Sequence, residues 1–177
     1  MGLDSVELIM ALEEAFSLDI PNAAVRRIDT VRDMVDYVVS RKPIAPTTTC
    51  TTRQAFYIIR RALRPAAGRA GRLAPDTRLA ELTDRERWPR TWERIRGEGG
   101  ESWPASVPLK GWWRDGPETL GELTLYVAAA RKSTRHPEGE PWNRDEVVET
   151  VRQVLWNDLG IWKAYLDDSF VEDLGLD

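Results

Sequence analysis

Residues 6–16 read Val6-Glu7-Leu8-Ile9-Met10-Ala11-Leu12-Glu13-Glu14-Ala15-Phe16. Leu8, Ile9, Leu12 and Phe16 recur at the three- and four-residue spacings that stack side chains on one face of an α-helix, and Glu7, Glu13 and Glu14 are polar. An amphipathic helix is expected here. The same periodicity in Val147, Val148, Val151, Val154 and Leu155 predicts another helix near the far end of the chain. No convincing two-residue alternation of a strand appears, so the expectation is an all-α protein made of two small helical bundles.

The chain repeats itself. Ile59-Arg60-Arg61-Ala62-Leu63 resembles Val151-Arg152-Gln153-Val154-Leu155, 92 positions on (residue 59 to residue 151). At the same offset Asp76-Thr77-Arg78-Leu79-Ala80-Glu81-Leu82 matches Asp168-Ser169-Phe170-Val171-Glu172-Asp173-Leu174. Thr30-Val31 through Tyr37-Val38 matches Thr119-Leu120 through Tyr126-Val127 at an offset of 89 (residue 30 to residue 119). Both of these last segments look like Thr-capped helices. In the middle of the chain the opening unit, 53–82, precedes the closing unit, 118–132. In the outer copy the closing unit, 29–42, comes first and the opening unit, 145–177, comes last. The expected organisation is one domain from residues 1–42 plus 145–177, a second from residues 53–132, and linkers at 43–52 and 133–144.

Charge separates the two bodies. Residues 1–42 and 145–177 hold 7 Lys/Arg against 17 Asp/Glu, whereas residues 53–132 hold 16 against 10, so the net charges are -10 and +6. Attraction between them is expected, with the basic domain docking weakly on the acidic helix that begins at Leu3. The arginines of Arg85 to Arg96 are interspersed with Glu86 and Glu93 and follow no reader motif, so a solvated face is expected and no nucleic-acid partner.

Other classes find little support in the sequence. At 177 residues and 42% hydrophobic content the chain can bury a core, and no apolar run reaches the roughly 20 residues of a membrane helix. Met1 to Ser5 carries no basic region followed by an apolar stretch, so no secretion signal is expected and a cytoplasmic location is. Cys50 is the only cysteine, and His136, the only histidine, stands beside Pro137. A disulfide framework, a zinc site and a catalytic dyad all lack partners, and the chain is not expected to be an enzyme. Trp88 and Trp92, one helical turn apart, and Trp112-Trp113 are read as core.

Taken from 145 to 177 and then from 1 to 42, the outer domain resembles the acyl carrier protein of fatty-acid synthesis. The motifs that carry this are Ser169-Phe170-Val171-Glu172-Asp173-Leu174-Gly175, Val6 through Phe16, Asp19-Ile20-Pro21, and Asp29-Thr30-Val31 through Tyr37-Val38. The resemblance implies a carrier that holds acyl intermediates as thioesters on a 4′-phosphopantetheine arm for lipid or polyketide-type synthesis. The arm is attached to a serine opening the second helix, where free backbone N–H groups and the helix dipole favour a phosphodiester. It also implies partners, namely a phosphopantetheinyl transferase and acyl-processing enzymes, that recognise the acidic second helix. Asp4, Val6, Glu7, Met10, Glu13, Glu14 and Asp177 are the residues implicated in that recognition.

The family pattern Asp-Leu-Gly-x-Asp-Ser-Leu-x-x-Val-Glu-Leu is interrupted here at the serine. Two registers result. Gly2-Leu3-Asp4-Ser5 imitates Gly-x-Asp-Ser and makes Ser5 the attachment site. Counting back from Val6-Glu7-Leu8 puts Leu3 at the family leucine and Gly2 at the serine, which leaves no site, and the spacing to Ile20-Pro21 agrees with this second register. In the middle domain the offset of 92 puts Glu86 where the serine belongs. The alternative to a carrier is a non-carrying scaffold or interaction protein built from pseudo-carrier domains. For the outer domain a permuted monomer is expected in preference to a swapped dimer.

Overall fold

The computed structural model describes residues 3–46, 50–67, 72–110, 116–131, 136–137 and 139–176. Among them are seven α-helices: α1 (Leu3–Phe16), α2 (Asn22–Val25), α3 (Val31–Arg41), α4 (Thr51–Leu63), α5 (Trp88–Gly99), α6 (Leu120–Ala130) and α7 (Arg144–Leu159), with a 3-10 turn at Leu79–Glu81. No strand occurs among the described residues, only isolated bridges. The all-α class expected from periodicity is what the structure shows. No helix among these residues is long and apolar enough to cross a membrane.

The chain divides into two compact units, Met1–Thr48 with Ser133–Asp177, and Thr49–Lys132. In the first unit α7 packs against both α1 and α3. Its core is drawn from Leu8, Leu12 and Phe16 of α1, Val31, Met34, Val35 and Val38 of α3, and Val147, Val151 and Leu155 of α7, closed by Ala164, Phe170 and Leu176 from the segment after α7. The helix ends are chemically defined. Thr30 caps α3 by accepting the Asp33 N–H at 3.2 Å while the Asp33 carboxylate accepts the Thr30 N–H at 2.9 Å. Asn143 and Glu146 build the same reciprocal box at α7. That helix stops at Gly160, whose φ of 68° lies in the left-handed region open to glycine, and the Ile161 N–H turns back to the Leu155 carbonyl at 3.0 Å.

In the second unit α4 packs against both α5 and α6. Ala55, Ile59, Ala62 and Leu63 are buried on α4 where Val147, Val151, Val154 and Leu155 are buried on α7. The helices therefore correspond at the offset of 92. The loops after them do not. The Leu120 N–H donates to the Thr77 carbonyl as the Val31 N–H does to Asp168, Gly121 to Pro75 as Arg32 to Leu166, and Leu79 to Glu118 as Phe170 to Asp29. Thr77 Oγ1 accepts the Ala74 N–H as an Asp168 carboxylate oxygen accepts that of Tyr165. All these pairs fix an offset of 91 (residue 77 to residue 168), so Asp168 corresponds to Thr77 and not to Asp76. The reason is burial: Leu79 fills the place of Phe170, whereas the offset of 92 would give it the place of Val171, which is exposed. The second unit thus has one more residue between its opening helix and this turn.

Two segments expected as linkers also contribute structure. Trp142 is buried in the core of the first unit, its ring centroid 5.0 Å from that of Phe16. Its N–H donates to the Pro43 carbonyl at 2.9 Å, and its carbonyl accepts the Ala45 N–H at 2.7 Å. At the other end of the 43–52 segment, Thr51 already belongs to α4. In the second unit Trp88 and Trp92 are buried as expected, with indole N–H groups donating to the carbonyls of Val107 and Pro104. Trp112 and Trp113 lie outside the described residues.

Candidate functional site

The features singled out by sequence meet on α1, a helix whose apolar row fixes its orientation. Leu8, Leu12 and Phe16 are buried at four-residue intervals. Their burial turns Val6, Glu7, Met10 and Glu14 to the opposite side, where all four are exposed, Met10 to 63% and Val6 to 41%. Neither Glu7 nor Glu14 takes part in an ion pair among the described residues. The surface is an apolar strip flanked by carboxylates. Asp4, also exposed, sits in the first turn, where its charge complements the positive end of the helix dipole.

Glu13 is placed differently from its neighbours. It is half-buried, and its carboxylate accepts the Ile20 N–H at 2.6 Å, which ties the turn after α1 back to the helix. Its first task is structural. Asp177 and Gly2 lie outside the described residues.

Ser5 is the third residue of α1 and precedes Leu8, Leu12 and Phe16 by three, seven and eleven positions. That row is the core-facing one, and Ser5 is accordingly half-buried. A prosthetic arm needs its hydroxyl at the mouth of the helix and clear of the bundle. Ser5 lies in the first turn but on the half-buried, core-facing row, and Gly2 has no hydroxyl.

In the second unit α5 starts at Trp88, with Arg87 as its N-cap. Glu86, expected at the position of the family serine, and Arg87 precede this helix. Both are exposed, and neither can be esterified to a phosphate. They join Arg90, Thr91 and Arg94 around a cleft of about 440 Å³ on this helix. Its charged walls are unsuited to an acyl chain. Arg94 is partly engaged, donating to the Ala62 carbonyl at 3.0 Å, and Arg87 pairs with Asp84. Among the described residues no group of His, Cys, Asp and Glu could hold a metal ion.

Comparison with known proteins gives one partial likeness. No family model matches the chain, and no solved structure matches it. Over 41 residues it is 50% identical to an acyl carrier protein of Cyanidioschyzon merolae, a stretch that is 23% of this chain and 45% of that protein. Over 41 residues it is 52% identical to an acyl carrier protein of Helicobacter hepaticus, covering 54% of that protein. The chain spans about half the length of the curated relatives it matches, and what it shows is partial similarity to acyl carrier proteins on an all-helical fold.

Proposed function

We propose that the first unit is an acyl-carrier-type domain with its segments in permuted order, α7 and residues 160–176 standing first and α1 to α3 second, and that it engages acyl-processing enzymes through α1. The observation that carries this reading is the stretch of 41 residues at 50% identity to an acyl carrier protein. The exposed Val6, Glu7, Met10 and Glu14 supply what such recognition needs, an apolar contact strip with carboxylates that steer a basic partner. The second unit is a pseudo-carrier with Glu86, or Arg87 if the loop offset of 91 runs on, where the serine would stand. The placement of Ser5 favours the register in which Gly2 occupies the serine position, so the chain serves as a docking partner and not as a holder of thioesters.

Incubation of the full chain with a phosphopantetheinyl transferase and coenzyme A, followed by intact-mass measurement, tests this. The expected result is no added arm on the starting chain and one arm on the Gly2→Ser variant. Efficient modification of the starting chain that Ser5→Ala abolishes would make the protein a working carrier and overturn the register.

A further inference from the structure

The cleft on α5 has a chemistry that the carrier reading does not use. Arg87, Arg90, Thr91 and Arg94 stand at helical spacing on one side of α5 and all line the cleft, while Trp88, Trp92 and Ile95 are buried. The three guanidinium groups are held differently. Arg94 donates from Nη2 at 3.0 Å to the carbonyl of Ala62, in the last turn of α4, which anchors its planar head and leaves further donors on it. Arg87 pairs with Asp84 at 3.4 Å. Arg90 is exposed and has no ion-pair partner among the described residues.

Glu86 is the one carboxylate among the residues lining the cleft, so three positive charges face one negative there. The start of the helix is not what holds an anion here. The Arg87 N–H donates to an Asp84 carboxylate oxygen at 2.8 Å, the Trp88 N–H to the Asp84 carbonyl at 2.9 Å, and Pro89 has no N–H. The side chains are the donors. Arg90 and Arg94 are one turn apart, about 6 Å along the axis, and Thr91 adds a hydroxyl between them. A carboxylate is satisfied by a single arginine, whereas a phosphate monoester, with a charge of about -1.5 to -2 and three acceptor oxygens, uses all three side chains. At about 440 Å³ the cleft has the size of a small-molecule site, with room for a polar body beside the phosphate and Glu86 to accept its hydroxyl groups. A nucleic-acid strand fits less well, because no aromatic residue lines the cleft to stack a base.

We propose that this cleft binds a small, soluble phosphate ester with a polar body, its phosphate held by Arg90, Thr91 and Arg94. The site lies within the second unit. It goes beyond the carrier reading and requires no arm at Ser5 or Gly2.

An NMR titration of the full chain with glucose 6-phosphate, at an ionic strength held constant with sodium chloride, tests it. Saturable shifts are expected at the amides of residues 90–94 and at the Nε–H groups of Arg90 and Arg94, with none on adding glucose alone. Arg90→Gln removes no ion pair, so its spectrum should otherwise match that of the starting chain, and its affinity should fall about tenfold. A control carrying Arg53→Gln and Arg72→Gln takes two charges from the same unit outside the cleft and should change the affinity by less than about twofold, since distant exposed charges are screened. Shifts that grow without saturating, or an equal loss in the control, would mean that the body attracts anions by net charge alone and would overturn the proposal. Two other results would reassign the arginines and overturn it as well. One is tight binding of a single-stranded oligonucleotide with no saturable response to glucose 6-phosphate. The other is co-sedimentation with phosphatidic acid vesicles that Arg90→Gln abolishes, again with no response to the soluble ester, which would place the phosphate on a lipid.

Discussion

Asp33 shows how much a single carboxylate can hold at the start of a helix. Burial alone would push its pKa up, but hydrogen bonds from the Thr30 hydroxyl and from the N–H groups of Thr30 and Asp29 outweigh that and hold it below the ordinary aspartate value. A carboxyl with a lowered folded-state pKa contributes stability that is present above its unfolded value, about 3.9, and is lost as the pH falls through the folded one. Thr30→Ala is expected to cost about 0.5–2 kcal/mol in urea unfolding near neutral pH, the usual range for a lost cap. It should also flatten the acid limb below about pH 4, where the box no longer distinguishes folded from unfolded Asp33. An unchanged acid limb would mean that the box does not set the titration. The Thr-capped start at residue 30 was legible in the sequence, because a cap is a local pattern. The role of Glu13 was not, since its bond to Ile20 spans seven residues and leaves no periodic trace.

At the level of elements, periodicity located helix faces well and loops poorly. The buried positions of α4 and α7 follow one pattern at the offset of 92 because four apolar residues on each helix must face inward together. A single extra residue in the loop after α4 carries no such signal, so the shift to 91 shows only in the backbone hydrogen bonds and in the burial of Leu79. Trp142 was hidden for a related reason, as one tryptophan among prolines and glutamates has no neighbours with which to form a pattern. It nonetheless reaches the core beside Phe16, with residues 43–45 held alongside. Trp142→Ala is expected to destabilise the first unit by about 3–5 kcal/mol, the range for emptying an aromatic core site. Chemical denaturation followed by circular dichroism checks it, and a loss below about 1 kcal/mol would show that the segment is the loose linker its composition suggests.

For the molecule as a whole, the two units act as controls for one another. In the second unit the opening helix, the turn around residues 77–79 and the closing helix follow in direct chain order. In the first unit the closing helix α3 precedes α7 and the turn around residues 168–170. The hydrogen bonds between turn and closing helix are nevertheless the same, Leu120 to Thr77, Gly121 to Pro75 and Leu79 to Glu118 matching Val31 to Asp168, Arg32 to Leu166 and Phe170 to Asp29. These bonds form across space and do not depend on which segment is made first, so the order of segments should be interchangeable. A chain rebuilt with residues 136–177 running directly into residues 1–46 is therefore expected to fold by itself, with α7 against α1 and α3 and one cooperative urea transition. Amide exchange should protect Val31 and Phe170 in it as in the starting chain, because their N–H groups have the same partners. A rebuilt chain that is helical but unfolds without cooperativity, or that leaves those two amides unprotected, would show that the first unit depends on its present connectivity and would refute the permuted-carrier reading.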